Sequence, residues 1–211
     1  VIDGTKISLR VGLSAVAIAL SIGTVLGAVA GYRGGKTDTI IMRIMDMMLS
    51  IPSILLAITF MAALGKGIDK AIIAIGLVSI PEYARIVRGS ILSIKENDYV
   101  QAAKVIGNKD GRIIFRHILP NVLSSIIVRA TLGISTAVLD TAALGFLGLG
   151  VQPPTPDWSV MINDAIMYYR SSPHLIIIPG LFVFLLIYSL NIIGEHLRDS
   201  LDTQLDEVRK W

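Results

Sequence analysis

The sequence predicts an all-α, polytopic membrane helix bundle, and three observations support that prediction. Of its 211 residues, 53% are hydrophobic and 17% are charged, whereas soluble domains are about a quarter charged. The mean hydropathy is +0.69. The apolar residues gather in blocks of about 18 or more, the length that crosses the hydrocarbon core as a helix. These blocks lack the polar face that a soluble helix needs, so a soluble two-domain protein is excluded.

Five blocks are long enough to span the membrane, at residues 11–30, 40–64, 71–92, 122–147 and 175–193. The uncharged part of the third block ends at Pro81, so we expect a short span there that continues as a charged helix. Within the chain we expect one transmembrane domain, 1–211, with a long polar loop at 95–121 and an outer loop at 148–173.

The first block carries a ridge of small residues. Gly23, Gly27 and Gly31 recur at every fourth position and therefore lie on one face of a helix. Such a face allows a second transmembrane helix to approach closely, so we expect these glycines to pack against another span. The alternative is that glycine is simply common in membrane helices.

Positive charge is distributed unevenly along the chain. One set comprises the turn after the first block, the 95–121 loop, the C-terminal tail and adjoining helix ends, and it holds fourteen of the 19 Lys and Arg residues: Arg33, Lys36, Arg43, Arg85, Arg88, Lys95, Lys104, Lys109, Arg112, Arg116, Arg129, Arg198, Arg209 and Lys210. The opposite side holds five: Lys6, Arg10, Lys66, Lys70 and Arg170. Positive charge favours the cytoplasm, which places the 95–121 loop and the C-terminus there. The N-terminus then lies outside, so we expect one further span before Val1.

Charged residues inside the blocks need partners, because an unpaired charge in the membrane is costly. Glu82 and Arg85 are three residues apart, as are Arg43 and Asp46, so each pair can meet on one helical face. Asp140 has no such neighbour. Either it lies on a translocation path or it is a hydrogen-bond partner between helices.

The 95–121 loop has the pattern of two short helices joined by a glycine. The first carries a stripe of four residues, Tyr99, Ala102, Ala103 and Ile106. Gly107 can end this helix in a left-handed conformation. Asp110 can begin the second, from which 113–115 project and which Leu119-Pro120 is expected to break. The pattern predicts a knob that fits a groove on a soluble partner.

This loop resembles the EAA loop of ABC-importer permeases, which contains the coupling helix that sits in a cleft of the ATPase subunit. The resemblance, together with the stripe, assigns ATPase coupling to Tyr99, Gln101, Ala102, Ala103, Gly107, Ile118, Leu119 and Pro120. Gln101 stands where the family has Glu, and His117 stands where it has Ile. We therefore expect the contact to depend on shape more than on charge.

The resemblance extends over nearly the whole chain. Residues 46–53, 82–89 and 146–156 are similar to the dipeptide/oligopeptide/nickel branch of these permeases, and most of all to its second permease. The implied fold is the transmembrane domain of a type I ABC importer, which has six spans, of which five are present here. The implied function is to form half of a translocation pathway, with peptide or nickel as cargo.

The resemblance also implies partners. These are a second, different permease chain, two ATP-binding cassette subunits, an extracytoplasmic solute-binding protein and the lipid bilayer of the cell inner membrane. Nucleic acid is not expected. The segment 33–37 looks like the end of a phosphate-binding loop, but it follows a membrane helix where a strand is required. ATP is therefore expected in partner chains, and this chain is expected to bind no cofactor and to catalyse no reaction.

Other functional classes have weaker support in the sequence. His117, His174 and His196 share no ligand spacing, which argues against a metal site. The absence of cysteine excludes disulfides and thiolate chemistry. An ion-coupled secondary transporter that uses Asp140 and Glu82 as proton carriers is the alternative from a different class. It differs from an ABC importer in that its transport does not require ATP hydrolysis.

Overall fold

The computed structural model describes residues 1–152 and 154–208, with side chains up to Leu201. Pro153, which belongs to the 146–156 motif, lies outside the described residues, as do Arg209, Lys210 and Trp211. Within the described part, the secondary structure is entirely helical. The predicted all-α fold is therefore confirmed.

The α-helices are numbered here in chain order. They are α1 (Ile2–Arg33), α2 (Gly35–Leu49), α3 (Ser53–Leu64), α4 (Ile68–Ile94), α5 (Asp98–Val105), α6 (Asp110–Ile113), α7 (Leu119–Phe146), α8 (Trp158–Ala165) and α9 (His174–Val208). A π-helical turn (Ile114–Ile118) joins α6 to α7, and a 3-10 turn (Ile166–Tyr168) follows α8.

The blocks expected to span the membrane are not all straight helices. In the described residues, three helical stretches are long and apolar enough to cross it: Ile2–Arg33, Asp110–Phe146 and His174–Leu201. The second block forms α2 and α3, which meet at an angle of 94° beside Pro52, and it makes a fourth span if the bent pair counts as one. The third block lies in α4, where Glu82, Arg85 and Arg88 follow the apolar part, and α4 is not among these stretches.

The α1 and α4 helices pack closely along the ridge of glycines. The Cα of Gly23 faces Ile80 and Tyr83, Gly27 faces Ala84 and Val87, and Gly31 faces Arg88 and Ile91. Side chains in these places would keep the helices apart, so hydrogen at the Cα is what permits the approach. A core cluster containing Val11, Ala15, Ala19, Ile75 and Tyr83 continues this contact.

The Leu119-Pro120 pair does not break the helix, contrary to the sequence-based expectation. The helix runs from Asp110 to Phe146, with the π-helical turn ending two residues before Pro120. Proline has no N–H to donate to the preceding turn, and it lies here in the first turn of α7, where helical N–H groups often lack partners. The π-helical turn therefore accommodates the proline without a break, and the loop continues directly into α7.

The segment after α7 folds back onto the bundle. Asp157 caps α8, because its side chain accepts hydrogen bonds from the N–H groups of Ser159 and Val160. Trp158 is the first residue of α8. Its side chain is buried, and its indole N–H donates to the carbonyl of Val1 at 2.8 Å.

Candidate functional site

The 95–121 loop is anchored to the bundle by apolar side chains. Val100 and Ala103 of α5 are buried together with Ile113 and Ile118. They belong to one cluster with residues of α1, α4 and α7: Ala28, Val87, Ile91, Val122 and Ile126. Burial of each of the Val and Ile side chains of the loop contributes about 1.5–3 kcal/mol to stability. The loop is therefore part of the packed core rather than a loose connection.

The opposite face of the loop carries apolar side chains into solvent. Val105 is 87% exposed and Ile106 is 80% exposed, beside the exposed Tyr99 and Ala102. The predicted stripe is thus narrower by one residue, since Ala103 faces the core next to Val100. Water-exposed apolar side chains beside an anchored helix are typical of a surface that another protein covers.

The turn between α5 and α6 depends on Gly107. Its φ is 84°, and a Cβ atom there would meet no atom within 4 Å. Its N–H donates to the carbonyl of Lys104 at 2.9 Å, and the side-chain amide of Asn108 donates to the carbonyl of Ala103. A side chain at Gly107 would therefore be disfavoured by backbone conformation and not by lack of space.

Gln101 has a structural contact that the sequence did not predict. Its amide nitrogen donates to the backbone carbonyl of Lys95 at 2.9 Å, which ties α5 to the end of α4. A glutamate at this position has no N–H to donate when it is ionised. The Gln found in place of the family's Glu thus exchanges a charge for an internal hydrogen bond.

The end of α1 also contacts the loop. The Tyr32 hydroxyl donates to Asp110 Oδ1 at 3.2 Å, and the Lys104 ammonium lies 5.5 Å from the centre of the Tyr32 ring. Of the remaining loop residues assigned to coupling, Leu119 is half-buried and Pro120 is exposed.

Two ion pairs connect α2 to α4, and both differ from the predicted pairs. Asp46 binds Arg85 at 2.6 Å rather than Arg43, and Asp38 binds Arg88 through both carboxylate oxygens at 2.5 and 2.6 Å. Residues three apart on one helix can interact, but exposed pairs of that kind contribute only a few tenths of a kcal/mol. The packing of α2 beside α4 supplies the better partners.

A cavity of roughly 180 Å³ lies where α2 and α3 meet α4 and α7. The kink at Ile51-Pro52 forms one wall, and α4 and α7 form the others. Glu82 on α4 is paired with Arg129 on α7, which corrects the expected Glu82–Arg85 pair. Arg129 also lies 5.8 Å from the centre of the Tyr83 ring.

Asp140 lines the same cavity from α7 and is half-buried. Within the described chain, no ion-pair or hydrogen-bond partner contacts its carboxylate. The interhelical hydrogen bond that was one of two alternatives for Asp140 is therefore not formed with any described residue. No sequence signal indicated that Glu82, Arg129 and Asp140 share a cavity, because they come from two helices.

These features define a class of protein. A polytopic helical membrane protein holds a polar, charged cavity between helices, and the same helices carry an anchored loop with an exposed apolar face. This is the arrangement of a membrane transport subunit.

Comparison with known proteins identifies the family. Residues 23–203 match the family described as binding-protein-dependent transport system inner membrane component. The chain is 48% identical to the dipeptide transport system permease protein DppC of Alkalihalophilus pseudofirmus, over 97% of this chain and 67% of that protein. It is 43% identical to the glutathione transport system permease protein GsiD of Pectobacterium atrosepticum, over 97% and 68% respectively.

A solved structure shows the same fold. The inward-facing MetNI methionine ABC transporter matches with a TM-score of 0.76 and 20% identity over 94% of each chain. The chain belongs to the family of binding-protein-dependent transport system inner membrane components, and it is a permease subunit of an ABC importer. The resemblance inferred from the sequence motifs is therefore confirmed.

Proposed function

We propose that this chain forms half of a translocation pathway for peptides and is coupled to cytoplasmic ATPase subunits by the 95–121 loop. The observation that carries the coupling is the division of the loop into two faces. Val100 and Ala103 are buried in the bundle, while Val105 and Ile106 extend into solvent. A partner that binds the exposed face can therefore move the buried residues on the opposite face of the loop.

The path of that displacement follows from the continuity of α7. The helix that begins at Asp110 in the loop ends at Phe146, and it carries Arg129 and Asp140 into the cavity. Packed cores transmit strain because they have few voids to absorb it. A movement of the loop thus reaches the cavity without a flexible connection in between.

The cargo is proposed from the relatives. Their names specify a dipeptide, a di/tripeptide and a glutathione transport system. Glutathione is itself a small peptide, so all three names specify the transport of a short peptide. The mixed polar and apolar lining of the cavity suits a ligand with charged ends and variable side chains.

The proposed arrangement includes five spans within this chain, with α2 and α3 forming a bent one and α4 a charged one. The 95–121 loop and the C-terminus face the cytoplasm, because fourteen Lys and Arg residues lie on that side against five on the other. A second, different permease completes the pathway, two ATP-binding cassette subunits hydrolyse ATP, and an extracytoplasmic protein delivers cargo. This chain provides no catalytic residue and no cofactor site.

Coupling is tested by replacing Gly107 with valine. The φ of 84° is strongly disfavoured for a β-branched residue, so the turn must change direction and move the exposed face. In proteoliposomes that contain the complete importer, we expect ATP hydrolysis to continue while the peptide taken up per ATP falls several-fold.

Gly111→Val is the matched control. Gly111 lies four residues away, is also exposed, and also has open space around its Cα, but it is in a helix and has ordinary dihedral angles. This variant should keep the wild-type ratio of uptake to hydrolysis. Normal coupling in a correctly inserted Gly107→Val variant would remove the role proposed for the turn.

A further inference from the structure

We infer that the cavity between α2–α3, α4 and α7 binds the free α-amino group of the transported peptide at Asp140. This inference rests on the proposed peptide cargo and adds a recognition site within the permease. Its basis is the charge balance of the cavity, a buried hydroxyl without a partner, and the spacing of the polar groups along α7.

The charge balance favours a cation. Three acidic or basic side chains of the Asp, Glu, Lys and Arg types line the cavity: Glu82, Arg129 and Asp140. Glu82 and Arg129 neutralise one another in an ion pair. Asp140 is left with no basic partner among the described residues, so the cavity has one uncompensated negative charge. A carboxylate at this depth is costly unless it is paired or hydrated, and an ammonium group is the simplest ligand that compensates it.

The second observation is the hydroxyl of Tyr83. The side chain is 2% exposed, and its oxygen has no hydrogen-bond partner among the residues that the structure describes. It lies against Gly133 on α7 and belongs to the lining of the same cavity. A buried hydroxyl without a hydrogen-bond partner lowers the folding stability by about 1–3 kcal/mol, the cost of removing it from water. A phenol can both donate and accept, so a peptide group placed beside it would restore a hydrogen bond.

The spacing of these groups matches a short peptide. Asp140 and Gly133 are seven residues apart, which is about 10 Å along a helix. An extended tripeptide also covers about 10 Å. With its ammonium on Asp140, a tripeptide reaches the level of the Tyr83 hydroxyl. Arg129, in its ion pair with Glu82, lies about 6 Å further along.

The arrangement therefore predicts direction as well as binding. The peptide enters with its amino end at Asp140, near the end of α7 that is distant from the loop, and with its carboxylate towards Arg129. An N-acetylated peptide has no ammonium and should lose the contact with Asp140. Its neutral amide would leave the carboxylate unpaired, and the site should discriminate against it.

The test measures equilibrium binding of radiolabelled trialanine and N-acetyl-trialanine to the complex of permease and ATPase subunits, without the external binding protein. We expect trialanine to bind at least about tenfold more tightly than the acetylated form, the effect of about 1.4 kcal/mol. Asp140→Asn keeps the size and hydrogen-bonding capacity of the side chain but removes its charge. It should weaken trialanine binding by about tenfold and abolish the discrimination.

Two further variants separate charge from structure. Asp140→Glu retains the carboxylate and should bind trialanine within about threefold of wild type. Asp69→Asn removes a carboxylate charge from the exposed first turn of α4, outside the cavity lining, and should have an effect below about twofold. A purely structural role for Asp140 predicts instead that Asn is tolerated, because it can still form hydrogen bonds.

The inference is overturned if wild type binds both peptides equally, if it binds neither at millimolar concentration, or if Asp140→Asn binds trialanine as wild type does. Uptake by the reconstituted importer with its binding protein distinguishes this failure from that of the proposed function. An importer that never accumulates trialanine refutes the peptide cargo. Wild-type uptake by Asp140→Asn refutes the recognition site alone.

Discussion

Replacing Gly23 with alanine tests how closely α1 and α4 pack. A Cβ atom built on Gly23 lies 2.6 Å from Tyr83 Cβ and 2.9 Å from the carbonyl oxygen of Ile80. Ordinary contact begins at 3.4 Å, so the methyl group is too close to Tyr83 by 0.8 Å. Neither neighbouring atom can rotate away, because one is a Cβ and the other is backbone. The helices must therefore separate.

The expected magnitude follows from this clash. Overpacking a close-packed interior costs about 1–3 kcal/mol, while the change from glycine to alanine in a helix gains up to about 1 kcal/mol. Gly89→Ala isolates the first effect, because Gly89 is also helical but has no atom within 4 Å of an added Cβ. We expect Gly23→Ala to be less stable than Gly89→Ala by about 1–3 kcal/mol.

The assay is thermal unfolding of the purified complex in detergent. For a chain of this length, 1 kcal/mol corresponds to a change in Tm of about 2–4 °C, so Gly23→Ala should melt several degrees below Gly89→Ala. Gly31→Ala should lie between them, since its nearest contact would be 3.0 Å. Equal melting temperatures for Gly23→Ala and Gly89→Ala would refute the close approach of α1 and α4.

Two further predictions concern the loop and the α2–α4 contact. Val105→Asp places a charge on the exposed face of the loop and should lower peptide-stimulated ATP hydrolysis at least fivefold. Met167→Asp changes an equally exposed residue beyond α8 and should not lower it. A similar loss of hydrolysis in both variants would argue against a docking face. Asp38→Asn removes the carboxylate that binds Arg88 through both oxygens in a partly buried ion pair. It should lower Tm more than Asp46→Asn, because the Asp46–Arg85 pair is exposed and such pairs contribute less than about 1 kcal/mol. The comparison uses the same thermal assay, and an equal or reversed order would contradict it.

The sequence was sufficient for features that depend on composition and on neighbours along the chain. The apolar blocks predict helices in a membrane, because backbone groups in lipid must find partners within the chain. The spacing of Gly23, Gly27 and Gly31 predicts a close helix contact whatever the partner. Gly107 predicts the turn between α5 and α6, because glycine readily adopts a positive φ.

Pairing between distant segments could not be predicted in this way. Neighbouring charges suggested Glu82–Arg85 and Arg43–Asp46, but α7 and α4 supply the partners Arg129 and Arg85. A charge binds whichever opposite charge the packing brings within about 4 Å, and distance along the chain has no part in that choice.

The sequence by itself determined that this chain is a helical membrane permease and that its polar loop has an ABC-importer pattern. Only the tertiary structure decided which face of the loop is buried, where the 94° kink opens a cavity, and that Asp140 has no partner there among the described residues. The physical reason is that helix formation is local, whereas a cavity and its charge balance exist only after separate helices have packed.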